Sequence, residues 1–201
     1  MDKQGILLIL EGADCSGKTT LANNIISFFG KDNCDYMHST YFTGMDVLSH
    51  HRQILTRAMH SLNNNDIVII DRHWISECVY GSEYRKGCSY APNELQYMKK
   101  IAEVNGQYIL CIPNREVQLS RHKERKEKDG EMFSDISGVI DRYDALWNGK
   151  KLDNNPQNQV DLLTQAGGVS FRDNWHLYDW QEHGDILPEY INSIIRGIKY
   201  E

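Results

Sequence analysis

The stretch Glu11–Thr20 reads EGADCSGKTT. Within it, Gly12, Gly17, Lys18 and Thr19 have the spacing of a Gly-rich loop that cradles phosphate, with four free positions between the glycines. Backbone N–H groups of such a loop turn inward on phosphate oxygens, and the next helix N-terminus adds a favourable dipole. Lys18 then reaches the β- and γ-phosphates, and the Thr19 hydroxyl suits Mg²⁺. Cys15, Ser16 and Thr20 complete the phosphate-facing set. One residue runs against this chemistry. Asp14 sets a carboxylate inside a loop built for anions.

The context on either side suits the loop. Ile6–Leu10 is a short apolar run and reads as a buried strand; Lys18–Phe29 has apolar residues at helical spacing. The alternation continues. Asp35–Thr40 reads as a strand, Val47–Leu62 as an amphipathic helix, Ile67–Ile70 as a β-branched strand. Helices follow near His73–Glu83 and Pro92–Val104, then a strand at Gln107–Ile112. Strand–helix alternation predicts an α/β domain with a parallel sheet. Downstream, Arg115–Lys128 reads as a charged helix and Ile136–Trp147 as an amphipathic one. The spacing also predicts a last strand at Trp175–Trp180 and a closing helix over Ile186–Ile198. The polar run about 148–173 reads as an excursion, and 201 residues suit a single domain spanning 1–201.

Bulk properties exclude some functions. A net charge of -6 disfavours bulk binding to nucleic acid or to an anionic membrane. No apolar run approaches the roughly 18 residues of a membrane span, and Ile6–Leu10 is too short for a signal-peptide core, so the cytoplasm is the expected compartment. The five cysteines form no CxxC pair, so reduced structural thiols are expected.

Two further motifs carry chemistry. Asp71-Arg72 follows directly on the strand Ile67–Ile70. A carboxylate there is placed to orient Mg²⁺ and Arg72 offers a fork for a second phosphate; the alternative is an ion pair capping the sheet end. The run Arg121–Glu131 is either a solvated helix or a lid whose Arg121 and Arg125, four residues apart, close on a transferring phosphoryl group, with Gly130 as hinge. The lid would span about 115–135. Trp74 and Tyr80 read as core or pocket residues, Ser76 as a pocket or exposed helix residue, and Tyr41 and Phe42 as base-stacking or packing residues. His38, His50 and His51 receive no role.

Together, EGADCSGKTT, IIDRHWISECVYG, the Arg-rich lid, VIDRYDALWNG and WHLYDW resemble the thymidylate kinases, P-loop nucleoside monophosphate kinases, and especially their short bacteriophage members. The resemblance implies a P-loop NTPase fold: three α/β/α layers, a central five-stranded parallel sheet and a short helical lid. It implies ATP as donor, Mg²⁺ as cofactor, small-molecule nucleotides as partners and a possible homodimer. It also implies that Asp14 lies near the acceptor's sugar hydroxyl, that Arg72 binds the acceptor's phosphate with Arg52 as a second arginine, and that Ser76 and Tyr80 line the acceptor pocket. Lys18, Arg72, Arg121 and Arg125 would be catalytic, with Thr19 and Asp71 at the metal. The chain departs from the family at His38–Phe42, where an Arg-Glu-Pro-Gly type sequence is usual, and at Gly81, where Gln is common. Both segments shape the acceptor pocket.

The leading expectation is phosphorylation of a deoxynucleoside monophosphate, dTMP-like or a modified pyrimidine. Three alternatives stand beside it: a deoxynucleoside kinase, a kinase acting on a modified base in DNA, and a non-catalytic nucleotide-binding regulator.

Overall fold

The computed structural model describes residues 5–40, 44, 46–64, 67–85, 87–130, 133, 135–148 and 175–195. Tyr41, Phe42 and the predicted excursion beyond Asn148 lie outside these residues.

Five strands form one sheet: β1 (Ile6–Glu11), β2 (Cys34–His38), β3 (Ile67–Asp71), β4 (Gly106–Cys111) and β5 (Trp175–Tyr178). Their order is β2-β3-β1-β4-β5, and every adjacent pair is parallel. β1 lies at the centre, with Leu8 opposite Ile69 on one side and Gln107 on the other. The next strand after β1 runs to one edge, and the chain crosses to the other side only with β4. Chain direction therefore diverges at β1, and its carboxyl end is where ligands bind in open parallel sheets.

Eight helices are described: α1 (Lys18–Phe29), α2 (Val47–Ser61), α3 (Trp74–Tyr84), α4 (Pro92–Asn105), α5 (Arg115–Asp129), α6 (Ser137–Asn148), α7 (Trp180–His183) and α8 (Leu187–Ile195). The strand pleat sorts the core into two halves. Leu7, Ile9, Val68, Ile70 and Leu110 face α2, α3, α4 and α6. Leu8, Leu10, Ile67, Ile69 and Ile109 face α1 and α8. Each such fully buried side chain contributes about 1.5–3 kcal/mol. Burial on both faces explains why β1 and β3 read as unbroken apolar runs.

Most predicted boundaries lie within one or two residues of the observed ones. β2 stops at His38 rather than Thr40. Trp180, expected to end the last strand, opens α7, because the Asp179 carboxylate accepts the Gln181 N–H at 2.8 Å and turns the chain into a helix. No described helix is long and apolar enough to cross a membrane.

Candidate active site

The carboxyl ends of β1 and β3 deliver Glu11 and Asp71 to one rim of the sheet, and the loop Gly12–Gly17 lies above it. Gly12 has φ 144°, and a Cβ there would sit 2.5 Å from the Cys111 carbonyl oxygen. Gly17 has φ 93° and caps α1 without any side-chain bond. By contrast, Asp46 caps α2 and Asn114 caps α5 through their side chains. The first-turn N–H groups of α1 thus receive no side-chain cap, and no acidic residue lies in that turn, as an anion site requires. Cys15 adopts φ 59°, a left-handed conformation that costs a non-glycine residue about 1–2 kcal/mol.

Lys18 is buried and folds back on the loop. Its Nζ donates to Gly12 O at 2.9 Å, Ala13 O at 2.7 Å and Ser16 Oγ at 3.2 Å. Burial, with the Arg72 charge nearby, pushes its pKa down to about 8. Carbonyl contacts of this kind exchange readily for phosphate oxygens, which favour the charged amine more strongly.

Asp71 is fully buried. Its Oδ2 accepts from Thr19 Oγ1 at 3.0 Å and from Tyr36 OH at 2.9 Å, with His38 Nδ1 at 3.3 Å. Its Oδ1 has no hydrogen-bond partner among the described residues. Burial opposes the ionised form. The His38 hydrogen bond and the Lys18 and Arg72 charges outweigh it and hold the carboxyl well below the usual range. An ionised carboxylate oxygen left unsatisfied beside a threonine hydroxyl fits Mg²⁺, which binds one or two protein oxygens and otherwise takes phosphate and water. Among the described residues no cluster of three His, Cys, Asp or Glu side chains could hold a metal alone. A phosphate-bound Mg²⁺ needs none.

Arg72 leaves the strand with φ 70°, its N–H donating to Leu10 O at 2.9 Å. The guanidinium pairs with Asp14, donates to Gly12 O at 3.3 Å and lies 4.8 Å from the Tyr80 ring centre. Burial works against the Asp14 carboxylate, but the Arg72 and Lys18 charges keep its pKa lowered. The two residues line both of two cavities. The larger, about 820 Å³, holds Gly17, Lys18, Thr19, Thr20 and Asp71 with Arg121 and Arg125. The smaller, about 310 Å³, holds Ser76, Tyr80, His51 and Glu77. Asp14, His38, Arg72 and Arg125 border both.

The charged helix α5 faces the phosphate loop. Gln118 and His122 are buried, and Gln118 Nε2 donates to Asp14 O at 2.7 Å. Arg121 lies 3.9 Å above the Trp180 ring, and Trp180 in turn would lie 3.1 Å from a Cβ at Gly17. The amino-terminal half of α5 is therefore docked, not free. Gly130, expected as a hinge, is the left-handed C-cap of α5 at φ 70°.

One expected site residue falls elsewhere. Arg52 is exposed, lies 5.2 Å from the Tyr97 ring centre and borders neither cavity. The reason is helical phase. Val47, His51, Leu55 and Ala58 form the buried stripe of α2, and Arg52 sits one step round from it. His51 is the α2 residue at the smaller cavity.

Sequence reading missed three contributors. Glu11 is fully buried and gathers the His73 N–H at 2.9 Å, the Ser76 hydroxyl at 2.6 Å and the Tyr143 hydroxyl at 3.1 Å. It ties the end of β1 to the start of α3 and to α6. The signal was an acid closing a buried apolar run. Tyr36 and His38 reach Asp71 from β2, and only their alternation about the buried Met37 hinted at a shared face. Gly81 also has a local cause. A Cβ there would lie 2.6 Å from the Gly87 carbonyl oxygen, because the segment after α3 folds back on the helix.

No protein-family model and no curated protein sequence matches the chain. Solved structures do match. The YorR protein of Bacillus subtilis, solved with phosphorylated GDP, aligns over 94% of this chain and 95% of its own at TM-score 0.62 and 18% identity. The fold is the P-loop NTPase fold. Thymidylate kinase from Candida albicans aligns over 96% of this chain and 94% of its own, at TM-score 0.53 and 13% identity. Polyphosphate kinase 2 from Arthrobacter aurescens TC1 covers 96% of this chain and 69% of its own, at TM-score 0.53 and 12% identity. At such identities the likeness is one of fold. Within the P-loop NTPase fold, Gly12–Thr19 occupy the loop and helix start that give the architecture its name.

Proposed function

We propose that the chain is an ATP-dependent kinase of a nucleoside monophosphate, dTMP-like or a modified pyrimidine, forming the diphosphate. One observation carries this reading: a phosphate-loop cavity and a smaller cavity meet at the Asp14–Arg72 pair. Phosphoryl transfer needs two anions brought end to end, and positive charge at their junction lowers the repulsion between them. Arg72 and Arg125, which border both cavities, supply it. Lys18 binds the donor's phosphates from within the loop. Mg²⁺ bound at Thr19 and Asp71 would neutralise charge on the transferring phosphates. Arg121 and Arg125 present one helix face to the larger cavity. At about 310 Å³ the smaller cavity lies at the low end of small-molecule sites, as suits one nucleotide.

The committed carboxylates favour a phosphate acceptor over a sugar hydroxyl. A hydroxyl acceptor needs a free general base. In the smaller cavity Asp14 is paired with Arg72 and Glu77 with Arg85. An acceptor phosphate is already anionic and needs no base.

The test is ADP release from ATP and Mg²⁺ with each common nucleoside monophosphate, and with the matching nucleosides. Turnover is expected with a pyrimidine deoxynucleoside monophosphate. Absence of ADP with every monophosphate would sink the reading, and turnover with nucleosides alone would replace it.

A further inference from the structure

We propose that Tyr36 and His38 are positioning residues that brace Asp71 for a divalent cation. The inference rests on the cation site at Thr19 and Asp71 put forward above. It starts from an imbalance within one carboxylate. Oδ2 of Asp71 meets the Thr19 hydroxyl at 3.0 Å, the Tyr36 hydroxyl at 2.9 Å and His38 Nδ1 at 3.3 Å. Oδ1, fully buried, has no hydrogen-bond partner among the described residues. Two hydroxyl donors, with the His38 ring nitrogen close by, hold the plane of the carboxylate. A buried carboxylate oxygen without a partner destabilises the fold unless something satisfies it. A structure that loads one oxygen and spares the other holds the spared one for a ligand that is itself cationic, or for water bound to such a cation.

The geometry comes from strand pairing. Tyr36 and His38 are two apart on β2, so they share one face of the sheet. Met37 between them is buried in the opposite core half. The register sets His38 beside Asp71 and Tyr36 beside Ile69. A one-residue slip of this edge strand would turn both donors away and present Met37 instead.

Outer partners of metal-binding carboxylates typically matter tenfold to a hundredfold in metal affinity. Mn²⁺ is the probe, titrated into the protein–ADP complex and followed by electron paramagnetic resonance. Tyr36→Phe and His38→Ala are each expected to weaken Mn²⁺ binding roughly tenfold. Both side chains line the larger cavity, so ADP binding without Mn²⁺ is measured alongside and should fall far less than Mn²⁺ binding. His38→Asn, whose amide N–H can replace Nδ1–H, should restore most of the loss. Asp71→Asn and Thr19→Ala serve as the reference for the site itself. Unchanged Mn²⁺ affinity in Tyr36→Phe and His38→Ala, with a loss in Asp71→Asn, would overturn the brace and leave the cation site standing. Parental affinity in Asp71→Asn and Thr19→Ala would overturn both. Circular dichroism melts guard against misfolding, and a loss of Mn²⁺ affinity counts only in variants that melt as the parent does.

Discussion

Asp14 and Arg72 stand 58 residues apart in the chain and form an ion pair at the border of two cavities. This contact answers why a phosphate loop contains an acid. The carboxylate is paired with the arginine that follows the neighbouring strand β3. It holds Arg72 over the Tyr80 ring and keeps it within reach of the smaller cavity.

Replacing Asp14 should therefore act on the acceptor side. Hydrogen bonds to charged groups contribute about 1.5–3 kcal/mol, so Asp14→Ala is expected to raise the acceptor KM by roughly tenfold or more. The donor Kd should change far less. Steady-state kinetics with each substrate varied, alongside calorimetry with an ATP analogue, separate the two. Normal acceptor kinetics would leave Asp14 a bystander.

Arg125 borders both cavities, whereas Arg121 borders only the larger and rests on Trp180. Arg125→Ala should lower kcat on the order of a hundredfold while leaving donor affinity nearly intact, as for groups that stabilise developing charge. Arg121→Ala should weaken donor binding more than turnover. Equal effects of both variants on binding and rate, with negligible turnover in the parent, would favour a nucleotide-binding regulator.

Glu11 sets a pH signature. Burial raises its pKa above the ordinary 4.5, against the hydrogen bonds from Ser76 and the His73 N–H. The folded protein thus keeps a proton that the unfolded chain releases, in a window opening at 4.5. Stability must fall as pH rises through that window, since the native state there binds more protons than the unfolded one. Glu11→Gln carries no such proton. Urea melts at rising pH from 4.5 upward should show the parent losing stability relative to Glu11→Gln. Parallel curves would contradict the assignment.

Two glycines should resist substitution for different reasons. A Cβ at Gly12 would meet the Cys111 carbonyl at 2.5 Å in a conformation, φ 144°, that other residues avoid. Gly12→Ala is expected to cost roughly 2–4 kcal/mol by thermal or urea unfolding. Gly81→Gln should push the Gly87–Cys88 backbone off α3, with a similar loss and weaker acceptor binding. A stable Gly81→Gln protein would show that this segment can yield.

The order of strands and helices was legible because periodicity is local. Buried parallel strands leave unbroken apolar runs, amphipathic helices leave a stripe, and Gly12, Gly17, Lys18 and Thr19 are close enough in sequence to state their own chemistry. Even the pairing of Thr19 with Asp71 was within reach, since parallel strands bring their carboxyl ends to one rim. What tertiary structure alone decided were the partnerships between residues distant in sequence. Whether Arg52 or His51 faces the smaller cavity depended on helical phase, which one residue of error reverses. Glu11 looked like the first letter of a motif, and only the approach of α3 and α6 made it a buried acceptor of three donors. The acid in the loop was visible from the start. Its direction was not, because only the β3–β1 pairing brings Arg72 across to meet it.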